Sequence, residues 1–159
     1  MTVPHPLEIE LKLALPPQQV AAFLKRMARR RSTPVQQALL TRYFDTPDFA
    51  LSAQGVALRV RQVGRRWLQT LKTEGDRHGG LSRRVEYEMP VTRGAPDWTR
   101  FPDAALAFVP EALRAQVEPA FETRFTRTAW LIRGKGGAQI EVALDVGEVR
   151  TLKADERSQ

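Results

Sequence analysis

Residues 7–15 read Leu, Glu, Ile, Glu, Leu, Lys, Leu, Ala, Leu, a strict period of two. Successive side chains of a strand point to opposite faces, so this run gathers its apolar residues on one side and Glu8, Glu10 and Lys12 on the other. Pro16 and Pro17 each lack a backbone donor and end the element. The chain is thereby committed from its start to a sheet with one apolar and one ionised face. Charges at positions 8, 10 and 12 interrupt the most apolar stretch near the start, so a secretory leader is not expected there.

The same periodicity organises the rest of the chain. Residues 18–31 carry Val20, Phe23, Leu24 and Met27 at helical spacing above a basic outer face, and Pro34 comes after the end of this surface helix. Strands are predicted over 39–45, 56–63, 66–73, 81–91, 121–133, 139–146 and 148–152. Gly64 and Arg65 make the tight turn of a hairpin between the third and fourth strands. Residues 48–54 read as a short helix or turn, 74–80 as a polar loop, and 92–118 as short Pro-interrupted helices that include 111–116. The fold class is α+β: eight strands in an antiparallel sheet or barrel with helices packed outside.

Composition narrows the class further. The 159 residues suit one domain with its own core, and the absence of cysteine removes disulfide and thiolate chemistry. No apolar run approaches the ~20 residues of a membrane span, and the expectation is a soluble, cytoplasmic protein. A net charge of +7 favours anionic partners. His5 and His78 have no second ligand at metal spacing and read as solvated, which leaves acid and base work to carboxylates, lysines and water on a metal.

Polar residues on one side of a sheet often do no more than meet solvent. Here the alternating positions are nearly all ionised: Glu8, Glu10 and Lys12; Arg59 and Arg61; Lys72; Arg84, Glu86 and Glu88; Arg124 or Arg127; Glu141 and Asp145. If the sheet closes, they face a hydrated lumen, where charges persist by pairing or by holding ions. The arginines are forks and the lysines point charges for phosphoryl groups. The carboxylates are hard oxygen ligands suited to magnesium or manganese. Together they fit metal-dependent chemistry on a polyphosphate. The glycines at 134, 136 and 137 lack the phosphate-loop pattern and read as a hairpin turn.

Glu8, Glu10 and Lys12 form an ExExK motif. With Tyr43-Phe44-Asp45-Thr46, Leu58-Arg59-Val60-Arg61, Thr70-Leu71-Lys72, Arg84 with Glu86, and Glu141 with Ala143, Leu144, Asp145 and Gly147, the chain resembles the CYTH superfamily, the triphosphate tunnel metalloenzymes. It is most similar to bacterial inorganic triphosphatases of the CYTH-CHAD type. The resemblance implies an eight-stranded antiparallel barrel open as a tunnel, a triphosphate substrate and a divalent metal, Mg2+ or Mn2+. It implies that Lys12, Arg59, Arg61, Lys72, Arg84 and Arg127 bind phosphates, with Arg124 the alternative to Arg127. Glu8 and Glu10 would hold metal and, with Lys12, serve catalysis, while Glu86, Glu141 and Asp145 act as metal ligands or support them. It also implies a further strand of alternating glutamates after Asp145, so the expectation for 1–159 is a single tunnel domain cut before that strand, its wall incomplete at the C-terminal end.

The functional expectation is hydrolysis of inorganic tripolyphosphate to diphosphate and phosphate. Thiamine triphosphatase and class IV type adenylate cyclase activities are alternatives from the same family. A binding module that captures polyphosphate without turnover is the alternative from another class. Nucleic acid is disfavoured as a partner because carboxylates interleave with the cations; a C-terminal CHAD domain and a homodimer are the protein partners expected.

Overall fold

The computed structural model describes the backbone of residues 7–74, 76–78 and 81–152, and the side chains of these apart from residues 7–9, 76–78 and 81–84. His5 and the tail 153–159 lie outside the described residues, as do the side chains of Glu8, His78 and Arg84. The strands are β1 (Leu7–Leu11), β2 (Val35–Asp45), β3 (Val56–Val63), β4 (Arg66–Thr73), β5 (Asp76–His78), β6 (Leu81–Val91), β7 (Glu118–Arg133) and β8 (Gln139–Thr151). The helices are α1 (Val20–Ala28), α2 (Ala50–Ala53), α3 (Asp103–Leu106) and α4 (Glu111–Arg114).

All described pairings are antiparallel, in the order β1-β6-β4-β3-β2-β7-β8, with β5 turned back onto β6. β1 and β8 are the two ends, and among the described residues no pairing joins them, so the sheet is open where a closed barrel was expected. It nevertheless curls. Glu10 at one end adds to the potential at Arg127, and Lys12 to that at Asp145, near the other end.

Several boundaries differ from expectation, among them β7, which starts at Glu118 and not at residue 121. β1 stops at Leu11, not residue 15, because its partner β6 begins opposite it at Leu81. β2 starts at Val35, not residue 39, because the long β7 extends to pair Ala129 with Val35. Part of the predicted 74–80 loop is β5. The two predicted strands 139–146 and 148–152 are one strand, β8, since Gly147 continues the ladder opposite Phe125 and does not break it. That glycine is required by close approach: a Cβ there would overlap the carbonyl oxygen of Arg124.

The core lies on one face of β3, β4 and β6. Val56, Leu58, Val60, Leu71, Tyr87 and Val91 point into it. Phe101, Ala105 and Val109 cover it from the helical segment, and Leu51 of α2 closes one end. Burying a side chain such as Leu58 or Leu71 contributes roughly 1.5–3 kcal/mol. Gln69, fully buried on this face, ties the helical segment to the sheet: its amide donates to the Asp97 carbonyl (2.9 Å) and its Oε1 accepts from the Asp97 N–H (2.8 Å). Arg114 donates to the carbonyls of Val109 (2.7 Å) and Leu106 (2.9 Å), joining α4 to the end of α3.

The Tyr43-Phe44-Asp45-Thr46 segment has a structural explanation. Phe44 enters the core. Buried Asp45 accepts from the N–H groups of Thr46 (2.8 Å), Leu51 (2.9 Å) and Ser52 (3.1 Å), and Thr46 Oγ1 accepts from Ala50 N–H (2.8 Å). These bonds satisfy the donors that a helix start leaves unpaired. On the opposite flank α1 rests Phe23 edge-on against Trp130 (5.8 Å) and buries Met27, while Arg29, Arg30 and Arg31 stay exposed past its end.

Candidate functional site

Register decides which charges share a face. Cross-strand partners lie on the same side, and the pairs Lys72 with Glu86, Thr70 with Glu88, Arg59 with Thr70, Tyr43 with Arg59, Thr41 with Arg61, and Arg127 with Asp145 run across β6, β4, β3, β2, β7 and β8. Glu8 stands opposite Arg84 in the β1–β6 ladder. The ionised face predicted from alternation is therefore one surface, set back to back with the core.

Among the described residues, two ion-paired groups stand out on it. In the first, Glu86 bridges two cations, with Lys72 Nζ at 2.7 Å from Oε2 and Arg59 Nη2 at 3.6 Å from Oε1. The three side chains are only 9% (Lys72), 13% (Arg59) and 16% (Glu86) exposed, so this cluster is largely withdrawn from water. Arg59 Nε is buried and has no hydrogen-bond partner among the described residues. In the second, Arg127 donates to Asp145 through Nε (2.7 Å) and Nη2 (2.7 Å). That hydrogen-bonded pair raises Arg127 above its ordinary pKa and holds Asp145 below the usual carboxylate range.

Arg61 sits between the groups and donates from Nε to the buried Thr41 Oγ1 (2.9 Å). Burial, then the like charges of Arg59 and Arg127, lower its pKa from the ordinary arginine value. A guanidinium pressed toward other cations favours negative charge nearby, and Asp145 supplies part of it.

The remaining predicted residues are more spread. Lys12 lies past the end of β1, exposed, 3.5 Å from Glu10 Oε2. Glu141 is exposed on β8 and acts on Arg127 at longer range. Register separates Arg124 from Arg127: Arg127 belongs to the ionised face, whereas Arg124 is on the other, with Arg42, flanking the buried Glu122 at 2.8 and 3.1 Å.

The face is also less uniformly ionised than alternation suggested. Thr41, Thr70 and Thr123 are buried there, Thr70 donating to Glu88 (3.2 Å), and Tyr43 stacks on Phe121 with ring centroids 4.4 Å apart. Thr41 was missed by sequence reading; its signal was its place two residues before Tyr43, in phase with the face. The carboxylates supply the hard oxygen donors that a divalent cation takes. Among the described residues, no group of three or more Asp, Glu or His side chains is gathered closely enough to hold one. No described helix is long and apolar enough to cross a membrane.

Comparison with known proteins accords with this arrangement. The chain is 33% identical over 153 residues to an inorganic triphosphatase of Haemophilus influenzae, an alignment covering 89% of this chain and 40% of that protein. It thus spans about 40% of the length of that relative. Two solved structures share the fold. One is a Hippeastrum adenylyl cyclase candidate whose dominant activity is that of a triphosphatase (TM-score 0.53, 14% identity, 87% of this chain and 70% of that one). The other is an adenylate cyclase candidate from Vibrio parahaemolyticus (TM-score 0.52, 16% identity, 94% and 78%). The CYTH domain family model matches residues 6–155, and the chain belongs to the CYTH family.

Proposed function

We propose that the ionised face binds inorganic tripolyphosphate and hydrolyses it to diphosphate and phosphate with the help of a divalent cation. One observation carries the reading: Arg59 Nε is buried beside Arg61 and Lys72 and has no hydrogen-bond partner among the described residues. An orphaned buried donor is rare and calls for an explanation, and a phosphoryl oxygen is an acceptor that suits a guanidinium. The likeness to the Haemophilus triphosphatase supports the substrate class.

In this reading Arg59, Arg61, Lys72 and Arg127 spread the charge of the substrate over neighbouring strands, with Lys12 and Arg84 extending the row. Thr41 positions Arg61 by accepting from its Nε. Glu8 and Glu10 would hold the cation, with Glu86, Glu141 and Asp145 as further carboxylates on the same face. When bound, Mg2+ or Mn2+ supplies charge neutralisation at the phosphates. Water adds to the terminal phosphorus as the bridging P–O bond breaks, and the face orients the chain for in-line attack. The CYTH-CHAD resemblance supports a barrel completed beyond β8, a CHAD domain as covalent neighbour, a cytoplasmic setting and a homodimer as parts of the same proposal.

Phosphate release from tripolyphosphate, ATP and thiamine triphosphate with Mg2+ or Mn2+ tests it. Release from tripolyphosphate first, abolished by EDTA and with KM raised in Arg59→Ala, is expected. Binding without release would leave a capture module, and absence of binding would refute the reading altogether.

A further inference from the structure

Arg127 and Asp145 are direct cross-strand partners, and the guanidinium meets the carboxylate through two parallel bonds of 2.7 Å each. This is the two-pronged contact by which arginine also takes a phosphate. The pair is reachable from solvent, with side chains 26% and 34% exposed. A phosphoryl group and the Asp145 carboxylate therefore want the same seat. We propose that Asp145 is a built-in competitor for the anion position at Arg127: its carboxylate fills the Nε–Nη2 edge of the guanidinium and must be displaced before a phosphoryl oxygen can take that edge. This deepens the triphosphate reading and rests on it.

The arrangement sets a threshold. A single small anion has to offset the displacement through Arg127 alone, whereas a tripolyphosphate chain also engages Arg59, Arg61 and Lys72 on adjacent strands. The displaced carboxylate then becomes available as a hard oxygen donor on the same face.

The test is isothermal titration of tripolyphosphate into the chain in EDTA, so that no metal contributes. Asp145→Asn is compared with wild type and with Glu148→Gln, which removes one negative charge from the same strand at an exposed pair with Arg150. Asp145→Asn is expected to bind tripolyphosphate on the order of ten-fold more tightly, within the range of ordinary site coupling. Glu148→Gln should match wild type, and the gain should vanish in the Arg127→Ala background. Circular dichroism verifies folding, and Asp145→Ser replaces the Asn variant should that one fail to fold. Unchanged or weaker binding by the folded variant overturns the proposal, as does an equal gain in Glu148→Gln or a gain that survives without Arg127. Absence of binding by wild type and all variants would instead overturn the triphosphate reading itself.

Discussion

Replacing Glu86 by Gln isolates the charge that links Lys72 and Arg59 while keeping side-chain size. At 2.7 and 3.6 Å, the two attractions are worth roughly 6 and 5 kcal/mol at an effective dielectric of about 20. Desolvation of the three groups offsets most of this, and the measured loss on breaking a buried pair is about 3–5 kcal/mol. Gln retains a carbonyl acceptor for one cation, so a net destabilisation of about 2–3 kcal/mol is expected. For a chain of this size that lowers the midpoint of thermal unfolding by about 4–12 °C. Two cations deprived of their shared carboxylate should also welcome an external anion. Thermal melts in chloride buffer, repeated with saturating tripolyphosphate and EDTA, should show a larger ligand-induced rise for Glu86→Gln than for wild type. A midpoint within 2 °C of wild type, or an equal or smaller rise with tripolyphosphate, would refute the view that Glu86 holds the cation cluster together.

The geometry makes three further expectations measurable. Arg127→Ala should weaken tripolyphosphate binding in calorimetry while Arg124→Ala leaves it unchanged, because β7 turns these side chains to opposite faces; equal losses would overturn the register. Gly147→Ala should destabilise the chain by at least about 2 kcal/mol in urea unfolding, since a Cβ has no room against the Arg124 carbonyl. Asp145 has a folded pKa below its ordinary 3.8, so its contribution to stability is complete above about pH 5 and is lost as pH falls through that lowered value. The acid limb of a pH–stability curve should therefore flatten in Asp145→Asn, and an unaltered limb would contradict the pairing.

Much of the fold was legible because alternation is a local signal. Leu58-Arg59-Val60-Arg61 announces both faces of β3, and the Gly64-Arg65 turn announces its hairpin. Pairing partners are not local. Leu13 and Leu15 continue the alternation beyond Leu11, but among the described residues no partner strand extends to meet them, so the pattern overran the element. Gly147 looks like an interruption in sequence and is a close approach in space. Register likewise separated Arg124 from Arg127, three residues apart and equally basic. Thr41 escaped notice because a hydroxyl carries no charge, yet burial makes it the acceptor that fixes Arg61.

In β3, Val60 is fully buried and its neighbours Arg59 and Arg61 belong to the other surface. A strand built this way assigns adjacent residues to separate tasks, one answering to stability and the next to chemistry. Mutational tolerance should therefore oscillate along the chain with the pleat. In a saturation library screened for foldedness, positions 56, 58 and 60 should reject polar substitutions while 57 and 61 accept many. Under a screen for anion capture, 59 and 61 should become the intolerant ones. Evolution could then rewrite what the sheet recognises, residue by alternate residue, while leaving intact the layer that keeps it folded.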